Sequence, residues 1–356
     1  MRLSSARAVA ALCFLTTLTG FLPATARADL VWTRQGGWSV EGGALSGLAG
    51  AEGRTALDQM NKAREAEERG SLRSAYRGYE SVAKKYPNSV YAPEALYRAG
   101  RIHVQRKDYN KAFTDFQLVL TRYPNTQRFN EIVGEQYRAA SAIADGARSR
   151  IIFGLLPGFK QRDRAIPYFE AIVGNAPYSD YAPLSLMNSA RGHQRAGNVE
   201  DSIDALDRMI NNYPQSLLAP DAYLKLGQTH ASLVDGAYYD QANTKQAITY
   251  FEDFMILFPA DTGVNAAEQG LDSMKKMHAE SKIKIADFYF YKRDNYTAAR
   301  VFYNEAITAY PESEIANLAK ERLAEVEAEA AAAKPAEGQA ATEQPAPKRK
   351  KFLGIF

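Results

Sequence analysis

The feature that most constrains how this chain can fold is a pattern that recurs six times along it. Each copy ends in a proline, with a small residue twelve positions earlier and a large apolar residue eight positions earlier. The prolines are Pro87, Pro124, Pro177, Pro214, Pro259 and Pro311. The small residues are Ala75, Ala112, Ala165, Ser202, Ala247 and Ala299. The large residues are Tyr79, Phe116, Phe169, Leu206, Phe251 and Tyr303.

The second copy, from Tyr91 to Pro124, reads as two short amphipathic helices. Its apolar residues recur at the i, i+3, i+4, i+7 spacing of a helix with one buried face, and a proline ends the second helix because it cannot continue one. A helix pair this short needs copies of itself on either side to bury that face. This is the pattern of tetratricopeptide repeats. It predicts an all-α solenoid of about six helix pairs over residues 55–334, closed by a capping helix near 312–334.

Some repeats depart from the common length. In the third, the helices expected near 131–148 and 164–173 are separated by residues 151–163, which we expect to form a loop. The fifth carries extra residues around 233–243. The segment 260–277, before the sixth repeat, is a candidate for an additional helix. Insertions in solenoids emerge as loops on one face, where partners bind.

Residues 1–28 have the features of a secretory signal peptide, which predicts an exported protein. Arg2 and Arg7 precede an apolar run, and small residues stand at Ala26 and Ala28. The alternative, a membrane anchor, requires a longer apolar segment. The single cysteine, Cys13, lies inside the apolar run and does not fit a lipidation site, so no lipidation cysteine is found. Without residues 1–28 the net charge of +3 becomes zero, which gives no support for nucleic-acid binding.

Two further segments flank the repeats. Residues 29–54 are expected to form an extended Trp/Gly-rich arm with tight turns or a small hairpin, in which Trp32 and Trp38 either cap the first repeat or dock on a partner. Residues 335–347 are expected to be a disordered linker. The last segment, 348–356, is basic and aromatic, and it suits contact with anionic lipid, a protein partner, or simply a solubilising role. Its candidate residues are Lys348, Arg349, Lys350, Lys351, Phe352 and Phe356.

The sequence contains no catalytic motif, and it predicts no enzyme activity, cofactor or metal. His103, His193 and His230 occupy equivalent positions in the second, fourth and fifth repeats, at least one repeat apart and too far from one another to share a zinc ion, and are expected to be packed or half-buried. In this repeat family the first helix of each pair lines a peptide-binding groove. Cations beside apolar side chains there suit an extended peptide with acidic groups, although such residues also serve only to solvate a helix. The candidates are Met60, Arg64, Tyr97, Arg101, Gln105, Arg191 and Arg195.

Three segments, 84–126, 153–182 and 279–313, resemble the BamD family, the tetratricopeptide subunit of the machine that assembles outer-membrane β-barrels. The resemblance covers residues 55–326. It implies a non-enzymatic scaffold at the periplasmic face of the outer membrane. The N-terminal repeats would receive the C-terminal signal of unfolded outer-membrane proteins at Tyr97, Arg101 and Gln105. The C-terminal repeats would hold the periplasmic domains of the barrel-forming subunit.

This sequence departs from the family in two ways. The family usually carries an acyl chain on a cysteine and has five repeats, whereas this sequence lacks that cysteine and has six. The tail 348–356 or the arm 29–54 would then provide peripheral contact with the outer membrane. Two alternatives remain open: the tetratricopeptide coordinator of the Tol-Pal and cell-wall synthesis system, and a generic exported peptide-binding adaptor. The coordinator carries a coiled coil where this chain has a glycine-rich arm.

Overall fold

The computed structural model describes residues 29–41, 51–151, 156–160, 162–238 and 241–340. The predicted signal peptide with Cys13, and the basic-aromatic segment 348–356 with its six candidate residues, lie outside the described residues. The chain folds into two compact units, which divide after Ser185.

The first unit begins with an antiparallel hairpin and continues with helix pairs. Its elements are β1 (Asp29–Thr33), β2 (Gly37–Glu41), α1 (Ala51–Glu68), α2 (Leu72–Lys85), α3 (Ala92–Gln105), α4 (Tyr109–Arg122), α5 (Phe129–Ala144), β3 (Arg148–Ile151), β4 (Leu156–Lys160), a 3-10 turn (Arg162–Arg164) and α6 (Ala165–Asn175). Helix α7 (Tyr181–Ala196) spans the division between the units. The second unit continues with α8 (Val199–Asn212), α9 (Ala219–Ser232), α10 (Ala242–Leu257), α11 (Val264–Arg293), α12 (Tyr296–Ala309) and α13 (Glu314–Ala340).

The predicted fold class, an all-α tetratricopeptide-repeat solenoid, is confirmed. Helices α1 to α12 form six pairs, and α13 follows them as the expected terminal helix. All twelve of the repeat-defining small and large residues are buried, each with at most 1% of its surface exposed. The small residues let the helices of a pair approach closely, and the large ones fill the space between neighbouring helices.

Three expectations about irregular segments are corrected. The insertion in the third repeat is a second antiparallel hairpin, β3–β4, rather than a loop. Residues 260–277 hold no separate helix, because α11 runs for 30 residues without a break and includes the first helix of the sixth repeat. Helix α13 continues to Ala340, so residues 335–340 are not a disordered linker; the helix extends from the preceding alanine-rich stretch 328–334, which has strong helix propensity.

The arm predicted over residues 29–54 is also shorter than expected. Residues 29–41 form the β1–β2 hairpin, and α1 begins at Ala51, four residues before the predicted start of the repeats. No helix in the described ranges is both long enough and apolar enough to cross a membrane.

Candidate functional site

The candidate site is the face of the first unit formed by α1, α3, α5 and the β1–β2 hairpin. The hairpin pairs Leu30 with Val40 and Trp32 with Trp38, and cross-strand partners point to the same side of a sheet. Trp38 is 2% exposed, and its backbone N–H donates to Asn61 Oδ1 on α1 at 2.8 Å. The hairpin is therefore docked on the first repeat through its apolar side.

Both tryptophans lie beside arginines of the repeats. The Arg64 guanidinium carbon is 4.3 Å from the centre of the Trp32 ring, and that of Arg98 is 5.2 Å from the Trp38 ring. These are cation–π distances. Of the two interpretations of the arm, packing on the repeats is the one the structure bears out.

Arg64 is therefore not an open cation for a peptide. Besides its contact with Trp32, it forms ion pairs with Glu67 and Glu68 on the same helix, each at 3.2 Å. Glu67 also accepts a hydrogen bond from the buried Tyr79 hydroxyl at 2.7 Å. This burial and hydrogen bonding raise the pKa of Tyr79 far above its usual value.

A chain of ion pairs joins α3 to α5. Glu94, which is only 8% exposed, accepts hydrogen bonds from Arg98 Nε at 2.8 Å and from Arg128 Nε at 2.7 Å. Arg128 Nη1 also donates to Glu131 at 2.6 Å. Although burial raises the pKa of Glu131, hydrogen bonds from Tyr97 and Arg128 hold it below its usual value. Glu94 and Glu131 are thus each paired with arginine, and Arg128 links them across the two helices.

Arg101 lies at the exposed end of this network. Its Nη1 donates to the Tyr97 hydroxyl at 2.8 Å, and the side chain lies 3.8 Å from Glu131 and 3.7 Å from Glu135. The Tyr97 hydroxyl in turn donates to Glu131. Burial, followed by this hydrogen bond, raises the pKa of Tyr97 to about 12. Within the described ranges Arg101 Nη2 makes no hydrogen bond, and 41% of the side chain remains exposed.

The structure places the predicted groove residues in different environments. Tyr97, Arg101 and Gln105 lie on one line along α3, as the i, i+4, i+8 spacing requires, but only Arg101 and Gln105 reach solvent. Tyr97 is 2% exposed and contributes its hydroxyl alone. Met60 is fully buried, so its assignment to the groove is wrong. It belongs to the same buried cluster as Trp38, because the hairpin lies over α1.

Arg191 and Arg195 lie on the part of α7 that belongs to the second unit, and both are exposed. Arg191 Nη1 donates to Asn188 Oδ1 at 3.4 Å, and Arg195 Nε donates to the Arg191 carbonyl at 3.2 Å. The two arginines are therefore held along one helix. Their role in peptide binding stays a prediction.

Sequence reasoning missed a cleft of about 600 Å³ between the hairpin and the N-terminal ends of α3 and α5. Its apolar floor is formed by Leu30, Val40, Val90 and Pro93. Its polar rim includes Glu94, residues 125–128 and Glu131. The hairpin that closes this cleft was one of the structures expected from the apolar residues on either side of Gly36-Gly37, but the cleft that it forms with the ends of α3 and α5 had no signal in the sequence.

The second unit has its own cleft, of about 960 Å³, between α10, α11 and α12. Lys275 and Lys282 line it and pair with glutamates of α10 and α12 at 2.8 and 2.5 Å. Lys245 lines it too, and no carboxylate of the described residues lies within ion-pair distance of it. Burial, together with Lys282 and Lys245, lowers the pKa of His278 in this cleft. The surface therefore has an excess of positive charge.

The equivalent histidines are packed, as predicted. His103 and His230 are 4% and 8% exposed, and His193 is partly buried. The His230 ring lies 5.5 Å from that of Tyr250 and is hydrogen-bonded to Asn243 at 3.0 Å. In the part of the chain that the structure describes, no group of three or more His, Cys, Asp or Glu side chains is placed to hold a metal ion.

The helix pairs and the packed repeat residues define a tetratricopeptide-repeat protein. A tetratricopeptide-repeat family model matches residues 94–126, which correspond to α3 and α4. A second family model, described as outer membrane lipoprotein (YfiO), matches residues 160–341, slightly more than half of the chain. The chain belongs to this family, which is the BamD family recognised from its sequence.

Curated relatives carry the name outer membrane protein assembly factor BamD. The protein of Xylella fastidiosa is 21% identical over 155 residues, which cover 41% of this chain and 53% of that protein. That of Caulobacter vibrioides is 27% identical over 128 residues, covering 36% and 42%. That of Pasteurella multocida is 24% identical over 161 residues, covering 42% and 62%. The chain thus spans about half the length of the curated relatives it matches.

Solved structures that are similar to this chain include a tetratricopeptide repeat protein from Parabacteroides merdae. It is 12% identical, with 77% of this chain and 99% of that chain covered and a TM-score of 0.31. MamA from Desulfovibrio magneticus is 20% identical, with 60% and 99% covered and a TM-score of 0.30.

Proposed function

We propose that this protein is a non-enzymatic scaffold for the assembly of β-barrel proteins into the outer membrane, acting after export at the periplasmic face of that membrane. The observation that carries the proposal is the match of the outer membrane lipoprotein family model to residues 160–341. The names of the curated relatives, outer membrane protein assembly factors, support the same role.

The first unit would receive extended segments of unfolded barrel proteins. On its face, Arg101 Nη2 is available to a peptide carboxylate or carbonyl, and Gln105 is exposed one turn further along α3. The neighbouring arginines are already neutralised by glutamates, so charge would set the register of a peptide more than its affinity. Apolar side chains of the peptide, entering the cleft floored by Leu30 and Val40, would supply most of the binding energy.

The second unit would hold the periplasmic domains of the barrel-forming subunit. Its lysine-lined cleft suits an acidic segment of that partner, because Lys245 has an ammonium group without a carboxylate partner among the described residues. Segment 348–356 would add a peripheral contact with the outer membrane through its lysines and aromatic residues.

A photo-crosslinking amino acid placed at Gln105 tests the substrate-binding face in living cells. We expect crosslinks to newly exported, unfolded barrel proteins, because this exposed position lies beside Arg101. The matched control is Thr114, which is exposed on α4, the second helix of the same pair. Equal crosslinking from both positions, or none from Gln105, would contradict the assignment of this face.

A further inference from the structure

The β1–β2 hairpin has one strand edge that the fold leaves unpaired. In an antiparallel pair, opposite residues alternate between those that exchange backbone hydrogen bonds and those that do not. Trp38 directs its N–H to Asn61, so Trp38 and its partner Trp32 do not exchange hydrogen bonds. By the same alternation, Leu30 and Val40 do not, whereas Val31 and Ser39 do.

The backbone N–H and C=O groups of Leu30 and Trp32 therefore point away from β2. On the other strand, the outer edge lies against α1, where Asn61 satisfies the Trp38 N–H. Among the described residues, nothing accepts or donates a hydrogen bond at the outer edge of β1. Such an edge is a template on which another extended chain can pair.

We propose that β1 binds an extended segment of an unfolded outer-membrane barrel protein as a third strand of the hairpin sheet. This inference rests on the proposed function and specifies how the substrate is recognised. Strand addition uses the main chain for affinity and pockets for alternate side chains for specificity. Barrel strands alternate apolar and polar residues, so every second side chain of the added strand would be apolar.

The cleft provides the pocket that this mode of binding requires. Leu30 and Val40 form the pair at the open end of the hairpin, and both line the apolar floor of the cleft. A strand paired with β1 would run past this floor and place an apolar side chain in it. The hairpin is held firmly enough to serve as a template, because Trp38 is buried and both tryptophans lie on arginines of the repeats.

The test uses the full chain and a synthetic peptide of about ten alternating apolar and polar residues, the length of one barrel strand. Trp32 and Trp38 are the only two tryptophans in the sequence, so selective tryptophan emission reports on the hairpin alone. Two N-methylated versions of the peptide serve as matched probes. In each version the backbone N–H groups along one edge of the strand are methylated, and the two versions differ in which edge is blocked. We expect the unmodified peptide to shift the emission, and one methylated version to bind at least about tenfold more weakly than the other.

A pair of variants tests the protein side of the same contact. Leu30→Pro removes an outward N–H without removing a β1–β2 hydrogen bond, and proline is tolerated on edge strands. Leu30→Val keeps the N–H and an apolar side chain. We expect Leu30→Pro to bind the peptide about tenfold more weakly than Leu30→Val. If the emission of free Leu30→Pro shows that its hairpin has undocked, the comparison of the two methylated peptides on the unmodified protein becomes the test of strand addition.

Equal binding of the two methylated peptides would overturn strand addition, as would equal binding by the two variants with docked hairpins. If crosslinking from Gln105 to barrel proteins persisted in that case, the proposed function would stand and only the mode of recognition would fail. Absence of both peptide binding and crosslinking would remove the proposed function as well.

Discussion

Gly227→Val should lower the free energy of unfolding by about 3 kcal/mol, because it forces a side chain into a filled space. Phe251, the large repeat residue of α10, lies between Gly227 of α9 and Gly270 of α11. A Cβ atom at Gly227 would lie 2.6 Å from Phe251 Cε1, and one at Gly270 would lie 2.5 Å from Phe251 Cζ. Phe251 is 1% exposed and enclosed on both sides, so its ring cannot move away.

Gly174→Ala is the matched control for this substitution. Gly174 lies in α6, and a Cβ atom there would meet nothing within 4 Å. We expect this change to be neutral or to stabilise the protein by about 0.5 kcal/mol, since glycine is unfavourable in a helix. Denaturant unfolding followed by circular dichroism measures both variants. An unchanged midpoint for Gly227→Val would contradict the close approach of α9 to Phe251.

Asp115→Asn should make the stability of the first unit strongly dependent on pH. In the unmodified protein, Asp115 and its neighbour His103 together should add little pH dependence. His103 of α3 is 4% exposed, and its Nε2 lies 3.7 Å from Asp115 Oδ2. Burial lowers the pKa of His103 to about 4 and raises that of Asp115 to about 7. Between these values the folded pair holds one proton, and in the unfolded chain the same two residues hold one proton between about pH 4 and 6.5.

With asparagine at position 115, only His103 of this pair contributes to the pH dependence of stability. In the unfolded chain this histidine binds a proton below about pH 6.5, whereas in the folded protein His103 binds it only below about pH 4. Stability is therefore fully present above pH 6.5 and is lost as the pH falls, by about 3 kcal/mol at pH 4. Asp108 and Glu80, which also face His103, raise its pKa, while Lys111 and Arg106 lower it, and burial outweighs them all.

His103→Asn provides the control with the opposite sign. It leaves Asp115 buried without the histidine, and a carboxyl group whose folded pKa is raised loses stability as the pH rises from about 4 to 7. Urea unfolding of both variants across this pH range measures the two slopes. Parallel curves for the variants and the unmodified protein would contradict the burial of this pair.

The repeat pattern was sufficient to predict the core, because each repeat contributes the same contacts to its neighbours. Ala247 and Phe251, for example, lie where their distances from Pro259 placed them. The face was harder to predict, because its charges are neutralised across repeats: Glu94 pairs with Arg128, 34 residues away. A search of the sequence for acidic residues that lie one repeat length from an arginine would have identified these pairs.

The errors arose where an element outside the repeats changes the environment of a repeat residue. Met60 occupies a position that is open in an uncovered repeat, but the hairpin lies over α1 and buries it. Arg64 is covered by Trp32 for the same reason. The segment 260–277 was a candidate for a separate helix, whereas Gly270 lies inside the continuous helix α11. The role of this glycine is to admit the Phe251 ring against the helix.

The most direct test of the scaffold function is co-purification. The full chain carrying an affinity tag would be isolated from detergent-solubilised envelopes of its own host, and the recovered proteins identified by mass. Our account predicts a large β-barrel protein with periplasmic domains, present in stoichiometric amount. Recovery of Tol-Pal or cell-wall synthesis proteins without such a barrel protein would contradict it and would support the alternative role as a coordinator of those systems.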